Sequence, residues 1–404
     1  MCEFFKAKKV TEKVYWVGAI DWQIRDFHGY ATKRGTSYNA YLVLADKITL
    51  IDTVKAPFKD ELMSRIASVI DPSEIDYIVS NHSEMDHSGC LSEVIDEIKP
   101  EKVFVSKMGE VALLDHFHSK IEGKITSVED GQDLMLGNMK LKFMETRMLH
   151  WPDSMVSYLE GESLLFSQDA FGMHLASTER FDDEIDDSIL EYEAEKYYAN
   201  ILLPYSPLIT KLVDKLTKSG LDIKIVAPDH GPIWRKNLQK IVGLYSGWAL
   251  QRPENRAIIV YDTMWHSTEL MARAISEGLT SGGTENKIIS MRVNHRSDVA
   301  TELMGAGAII LGSPTLNNNI FPTMADALTY ISGLKPKNKI GAAFGSYGWS
   351  GEGVRHLNEF LKKMKIDLVS DGISVKYVPD EKVLSECRSL GKDISDKLKE
   401  ITGK

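Results

Sequence analysis

The chain has 404 residues, enough for two or three domains, and its 43% hydrophobic and 26% charged residues are typical of a globular protein. The net charge of −10 argues against nucleic acid or an anionic membrane as a main partner. Because the sequence shows no apolar signal-peptide run and no stretch as long as a membrane span, we expect a cytoplasmic protein.

Short β-branched or aromatic runs, bounded by Gly, Asp or Asn, predict strands in the first part of the chain. These strands cover residues 13–18, 38–44, 47–52, 77–80, 102–106 and 139–144. Helical periodicity predicts helices over residues 58–69 and 188–202. The pattern indicates a mixed α/β domain over residues 1–252.

A different pattern of predicted elements begins after the Arg-Pro-Glu-Asn segment at residues 252–255, and this segment is typical of a hinge. Apolar strands are predicted over residues 256–261, 308–312 and 339–344, and each is followed by a polar loop and a helix. Buried strands that alternate with helices predict an open parallel sheet. We therefore predict a second domain over residues 253–404.

Four potential metal ligands follow the predicted strand that ends at residue 80. They are His82, Glu84, Asp86 and His87. His82 and Glu84 would share one face of an extended segment, whereas Asp86 and His87 would lie where the chain turns into a helix. Ligands can then face two neighbouring centres, which suits a dinuclear site. Three further candidates lie at later strand ends: His150, Asp169 and His230.

No other pattern of histidines or cysteines in the sequence predicts a metal site. A lone His150 or His230 would more often be a structural histidine, so the prediction rests on the whole set. His116 and His118 are two positions apart in a predicted helix and would point to different faces. The three cysteines, Cys2, Cys90 and Cys387, are too far apart to suggest a metal or disulfide motif. Redox chemistry in this chain must use something other than sulfur.

The pattern His-x-Glu-x-Asp-His, followed by the three later ligands, resembles the metallo-β-lactamase fold, an αββα sandwich. Hydrolases of that fold usually have His at the position of Glu84, and the Glu variant is similar to the flavodiiron (A-type flavoprotein) family. Because three carboxylates make the site hard, iron fits better than zinc. The resemblance implies one iron on His82, Glu84 and His150, a second on Asp86, His87 and His230, and Asp169 as a bridge.

Two points on this site stay open. In some family members the position of His87 is not bound to metal. His28 and His174 could orient ligands or deliver protons, or have a plain structural role.

Three polar loops follow strands of the second domain. The first joins a strand to a helix, has hydroxyls but no Lys or Arg, and suits a phosphate monoester. The other two could bracket a flat ring at the edge of the sheet. Together the loops resemble those of flavodoxin, a doubly wound parallel sheet, and imply FMN, with Trp349 beside the isoalloxazine ring. Their residues are Thr263, Met264, Trp265, His266, Ser267 and Thr268; Ser313, Pro314, Thr315, Leu316, Asn317 and Asn318; and Ser346, Tyr347, Gly348, Trp349, Ser350 and Gly351.

Resemblance to flavodiiron proteins over the whole chain implies reduction of dioxygen to water or of nitric oxide to nitrous oxide. It also implies a head-to-tail homodimer or a dimer of dimers. The sequence is most similar to the methanogen members, which implies reduced coenzyme F(420), a deazaflavin, as electron donor and dioxygen as acceptor. The alternative within the family is a nitric oxide reductase with rubredoxin as donor.

Two alternatives come from other classes. A metallo-hydrolase fused to an electron-transfer flavodoxin module would fit the first domain, and Glu84 is the feature against it. A non-catalytic electron carrier would fit residues 254–404, but it leaves seven ligand-type residues unexplained.

Overall fold

The structure is a computed structural model that describes residues 4–403. Cys2 therefore lies outside the described residues. The contacts divide the chain into two compact units. The first unit comprises the described residues up to Phe27, together with Thr32–Tyr197 and Pro207–Ser246, and the second comprises His28–Ala31, Tyr198–Ser206 and the described residues from Gly247. Domain limits at residues 252 and 253 stay a prediction.

The strands as far as residue 228 are short. They are β1 (Lys8–Lys9), β2 (Val14–Trp16), β3 (Ala19–Asp21), β4 (Asp26–Phe27), β5 (Tyr30–Ala31), β6 (Thr36–Tyr38), β7 (Tyr41–Val43), β8 (Thr49–Ile51), β9 (Tyr77–Ser80), β10 (Lys102–Ser106), β11 (Ile125–Val128), β12 (Asp133–Met135), β13 (Lys140–Glu145), β14 (Met155–Leu159), β15 (Leu164–Gln168) and β16 (Ile225–Pro228).

Two sheets of the first unit pack face to face. The first has the order β1-β2-β7-β8-β9-β10-β11 and is parallel from β8 onward, and the second has the order β12-β13-β14-β15-β16. Alternate residues of the first sheet, such as Tyr41 and Val79, join Phe143 and Phe166 of the second in one buried cluster. This alternation is what strands buried between two layers require.

Helices cover the other face of the first sheet. The intervening residues Leu42 and Ile78 pack there with Leu62 of α1 and Val94 of α3. The parallel strands β8, β9 and β10 are each followed by a helix, so polar side chains can lie at their carboxyl ends. The helices up to residue 249 are α1 (Lys59–Ala67), α2 (Met85–Ser88), α3 (Leu91–Ile98), α4 (Lys107–Phe117), α5 (Asp187–Tyr197), α6 (Ser206–Lys218) and α7 (Leu238–Ala249).

The second unit contains one parallel sheet with the order β18-β17-β19-β20-β21, and β22 also pairs with β20. The strands are β17 (Glu254–Tyr261), β18 (Glu285–Ser290), β19 (Ala306–Gly312), β20 (Ile340–Tyr347), β21 (Asp367–Leu368) and β22 (Ile373–Lys376). Ser346 and Tyr347, which we predicted in a loop, are the last residues of β20, because β22 pairs with β20 as far as Tyr347.

Helices cover both faces of this sheet. Met271 of α8 and Ile394 of α12 pack on one face, and Val299 of α9, Ile331 of α10 and Leu357 of α11 pack on the other. This is a doubly wound arrangement. The helices are α8 (Ser267–Ser281), α9 (Arg296–Leu303), α10 (Pro322–Leu334), α11 (Glu352–Lys363) and α12 (Glu381–Thr402). Within residues 4–403, none of the helices has the length and apolar character needed to cross a membrane.

Candidate functional site

All seven predicted metal ligands come together in the first unit. The chain places them where strands end: after β9, in the short helix α2, in the loop before β14, after β15 and after β16. Their ligand atoms form two groups, each within 4.8 Å. The groups are His82, Glu84, His150 and Asp169, and Asp86, His87 and His230.

Asp169 contacts both groups. Its Oδ2 lies 3.0 Å from Nε2 of His150 and 3.3 Å from Nε2 of His82. Its Oδ1 lies 3.4 Å from Nε2 of His87 and 3.5 Å from Nε2 of His230. Each group also has a carboxylate of its own: Nε2 of His150 lies 3.1 Å from Glu84, and Nε2 of His230 lies 3.1 Å from Asp86. One carboxylate between two imidazole pairs is the geometry of a shared bridge.

Several polar atoms at the centre fit a pair of metal ions. The Nε2 atoms of His82 and His87 and the Oδ1 atoms of Asp86 and Asp169 are buried and have no hydrogen-bond partner among the described residues. Such groups are costly to bury unless something satisfies them. Two cations among imidazole nitrogens and carboxylate oxygens would do so.

The charges of the clustered side chains lead to the same conclusion. Burial opposes the charged form of His150, yet Asp169 and Glu84 outweigh burial and raise the pKa of His150 to about 9. Burial alone would raise the pKa of Glu84, but His150 and His82 hold that pKa well below its ordinary value. The carboxylates thus favour positive charge at this position, which bound metal ions would supply.

Polar groups behind the ligands fix the direction of the imidazoles. Nδ1 of His82 lies 3.1 Å from Oδ2 of Asp153, and Nδ1 of His230 lies 2.6 Å from the carbonyl oxygen of Ser37. The carboxylate of Asp229 lies 3.7 Å from Nδ1 of His87. The first two contacts leave Nε2 of His82 and of His230 for the centre, whereas Asp229 is too far from His87 for a direct hydrogen bond.

We did not predict Asp153, Asp229 or Ser37 as part of the site. The signal for the two carboxylates is their place in the sequence, since Asp153 lies three residues after His150 and Asp229 directly precedes His230.

His174 and His28 lie in different surroundings. His174 is buried, its Nδ1 lies 2.9 Å from Oγ1 of Thr36, and its ring centroid lies 4.7 Å from that of His230. Burial and the neighbouring His230 lower the pKa of His174 well below its ordinary value. His28 is exposed, has a φ of 54° and belongs to the second unit. For both histidines, a role in proton delivery or ligand orientation stays a prediction.

The three predicted flavin loops surround a cavity of about 520 Å³ in the second unit. Two tryptophans at this cavity, Trp265 and Trp349, are 88% and 87% exposed, so their rings are available to a flat ligand. The predicted residues that line the cavity are Met264, Trp265, Ser267, Pro314, Thr315, Leu316, Asn317, Asn318, Ser346, Tyr347, Gly348, Trp349 and Ser350.

Five predicted residues do not line this cavity. Thr263, Thr268 and Ser313 are buried, His266 is exposed and contacts Glu269, and Gly351 directly precedes α11. Tyr377 and Val378, which we did not predict, also line the cavity. They directly follow β22, so their position at another strand end is the signal that could have found them.

The loop that begins α8 fits a phosphate monoester. Oγ1 of Thr263 is buried and has no hydrogen-bond partner among the described residues. Thr268 is buried as well, with Oγ1 3.1 Å from Oγ of Ser346. Hydroxyls and the free N–H groups of a helix N-terminus are the donors that bind phosphate in flavin-binding sheets of this kind.

Comparison with known proteins identifies both parts of the chain. Residues 36–231 match the ODP family beta lactamase model, and residues 259–391 match the flavodoxin model. A nitric oxide reductase from Moorella thermoacetica is 45% identical over 96% of this chain and 98% of its own length.

Two solved structures are similar over nearly the whole chain. Rubredoxin oxygen:oxidoreductase from Desulfovibrio gigas is 45% identical with a TM-score of 0.97, and the alignment covers 99% of this chain and 100% of that one. The flavodiiron protein from Giardia intestinalis is 32% identical with a TM-score of 0.95 and coverage of 100% and 99%.

These matches confirm the predicted fold, a metallo-β-lactamase-like domain followed by a flavodoxin domain. They also imply FMN and a diiron site, which the residues of both sites fit. The chain therefore belongs to the flavodiiron protein family and is an oxidoreductase.

Proposed function

We propose that this chain reduces dioxygen or nitric oxide at the centre formed by its seven ligand residues, with electrons that enter through FMN. The observation that carries the proposal is Asp169, whose two carboxylate oxygens each lie within 3.5 Å of two ligand histidines. A carboxylate in this position would serve two metal ions, which could then act together on one small molecule. When bound, FMN passes electrons on singly, and the two irons supply redox and Lewis-acid chemistry.

The residues of the centre favour this chemistry over hydrolysis. Glu84, Asp86 and Asp169 contribute three carboxylates, which are harder ligands than the imidazoles of a typical zinc hydrolase. The relatives reported above are oxidoreductases, which also favours the flavodiiron function over a hydrolase fused to an electron carrier.

Dioxygen and nitric oxide are supported to the same degree. One relative is named a nitric oxide reductase and another an oxygen oxidoreductase, at the same identity of 45%. The test is consumption of each gas by the protein loaded with iron and FMN, measured with the same electron donor. Asp169→Asn, which lacks the second carboxylate oxygen, should consume neither gas. Full turnover by that variant would refute the proposal.

For the donor, we propose a small electron-transfer protein of the rubredoxin type, which the name of the Desulfovibrio gigas relative supports. Trp265 is exposed at the flavin cavity and would form part of a contact surface for such a partner. Reduced coenzyme F(420) remains the second candidate. Anaerobic mixing with reduced rubredoxin, reduced F(420) or NADH, followed by flavin absorbance, separates these donors, and failure of all three to reduce the flavin would refute both assignments.

We also propose a head-to-tail homodimer, or a dimer of such dimers, in the cytoplasm. Exposed apolar side chains at the flavin cavity, including Trp349, Tyr377 and Val378, support an interface there. Light scattering of the purified protein tests the assembly, and a stable monomer with full activity would contradict it.

A further inference from the structure

Arg292 contacts three successive residues of the loop that begins α8. It lies just after β18, and its Nη2 donates to the carbonyl oxygen of Thr263 at 2.5 Å and to that of Met264 at 3.4 Å. Its Nε lies 3.4 Å from Oδ1 of Asp262. The side chain of Arg292 is 47% exposed, whereas that of Asp262 is 1% exposed.

The loop itself has an unfavourable charge for a phosphate. Residues 262–268 include no Lys or Arg, and Nδ1 of His266 lies 2.8 Å from Oε2 of Glu269. Asp262 is buried and accepts hydrogen bonds from the backbone N–H of Thr263 at 2.7 Å and from Oγ1 of Thr323 at 2.5 Å. The loop therefore begins at a buried carboxylate, and the guanidinium of Arg292 offsets its negative charge.

Arg292 also sets the direction of the loop amides. In a trans peptide the C=O and the following N–H point in opposite directions. Because Arg292 holds the carbonyls of Thr263 and Met264, the N–H groups of Met264 and Trp265 point away from the guanidinium. Both of these residues line the flavin cavity.

We propose that Arg292 is the positioning residue that orients this loop for the phosphate and makes the cavity prefer FMN to riboflavin. The inference rests on the assignment of the cavity to FMN. Arg292 acts through the loop, and no contact of its own with the flavin is required. Its role is therefore specific to the phosphorylated form of the ligand.

The test uses the full-length chain freed of flavin and titrated with FMN and with riboflavin, followed by quenching of flavin fluorescence. The variants are Arg292→Gln and Arg292→Lys. The matched control is Arg388→Gln, since Arg388 is also a partly exposed arginine that pairs with acidic side chains, Glu277 and Glu381, on helices α8 and α12.

We expect Arg292→Gln to weaken FMN binding about tenfold, as loss of one charge-assisted hydrogen bond does, and to change riboflavin binding less than about twofold. The FMN affinity of Arg292→Lys should lie between those of the unmodified chain and Arg292→Gln, because lysine keeps the positive charge but lacks the several N–H donors of a guanidinium. Arg388→Gln should change neither affinity.

The inference is overturned if Arg292→Gln binds FMN as the unmodified chain does, or if it loses FMN and riboflavin equally, which a purely structural role would produce. If Arg292→Gln does not fold, Arg292→Lys decides: FMN affinity equal to that of the unmodified chain overturns the inference. Failure of the unmodified chain to bind FMN would instead refute the assignment of the cavity.

Discussion

Oδ2 of Asp153 lies 3.1 Å from Nδ1 of the candidate metal ligand His82 and 2.6 Å from the backbone nitrogen of Ser83. One buried carboxylate thus accepts from both the imidazole and the main chain beside it. Both bonds end on one oxygen, and the negative charge of the carboxylate strengthens each of them, whereas an amide of the same shape carries no charge.

We therefore expect Asp153→Asn to lower iron affinity by about 10- to 100-fold, the usual effect of a change in the partner behind a metal-bound histidine. The measurement is iron retained per chain at increasing chelator concentration. Asp96→Asn, at an exposed carboxylate on α3, is the control and should retain iron like the unmodified chain. Equal retention by Asp153→Asn would show that the contact does not orient His82.

Asp169→Asn should abolish consumption of dioxygen and nitric oxide and lower the iron content below two per chain, because a single amide oxygen cannot serve both ligand groups. The FMN content should stay unchanged, since the flavin cavity lies in the other unit. Iron and flavin quantitation on one sample checks both points. Asp133→Asn, an exposed position on β12, should keep iron and activity.

Glu84→His should shift the metal preference from iron toward zinc, because it replaces a hard carboxylate with an imidazole. The measurement is metal content after expression with equal iron and zinc in the medium. Glu93→His adds a histidine at an exposed position of α3 and should leave the metal content as it is. An iron-only Glu84→His protein would contradict the explanation of iron preference by ligand hardness.

Trp349→Ala should weaken FMN binding by roughly tenfold, since a stacked aromatic ring contributes about 1 kcal/mol beyond the area that it buries. Trp22→Ala, at a 51% exposed position in the first unit, is the control. Titration of the flavin-free chain with FMN gives both affinities. Unchanged binding by Trp349→Ala would place the flavin ring away from this side chain.

Lys339→Met should stabilise the second unit at neutral pH. Burial, helped by Arg256, lowers the pKa of Lys339 to about 8, so the folded chain disfavours the charged form. The corresponding cost is roughly 3 kcal/mol, of which about 1 kcal/mol is offset by the hydrogen bond from Nζ to the carbonyl oxygen of Met304. We therefore expect a net gain of about 1–2 kcal/mol in the free energy of unfolding.

The pH dependence of this gain has a defined sign. In the unmodified chain, the free-energy cost of burying charged Lys339 is fully present below about pH 8. This cost disappears as the pH rises toward 10.5, where the lysine of the unfolded chain also deprotonates. Denaturant unfolding at pH 7 and pH 10 should therefore show a gain that shrinks at the higher pH. Lys337→Met, at an exposed position, should show no such gain. A constant difference across this range would mean that the charge of Lys339 is not the cause.

The sequence was most informative where ligands crowd into a short segment. His82 and Glu84 were found because their spacing after a strand is hard to explain otherwise. Asp153 was not predicted as part of the site, because an aspartate in a Trp-Pro-Asp loop is common and only the fold brings it to Nδ1 of His82. Tyr377 was missed because strand β22 before it is only four residues long, so the alternation of Ile373 and Val375 with polar residues is hard to recognise.

The second sheet of the first unit shows a different limit of strand prediction from sequence. Its strands β14 (Met155–Leu159) and β15 (Leu164–Gln168) are buried along their whole length. Burial on both faces removes the alternation of polar and apolar residues on which strand prediction depends. The parallel sheet of the second unit was easier, because each of its strands is followed by a clear loop and helix.

The centre also has a mechanical consequence for the polypeptide. Its ligands come from four separate segments between residue 82 and residue 230, so bound metal ties the ends of long stretches of chain to one point. Tethers of this kind reduce the conformational entropy of the unfolded chain, as disulfides do in oxidising compartments. The described cysteines of this protein form no disulfide, so bound iron would stabilise the fold of the first unit in addition to its role in the reaction.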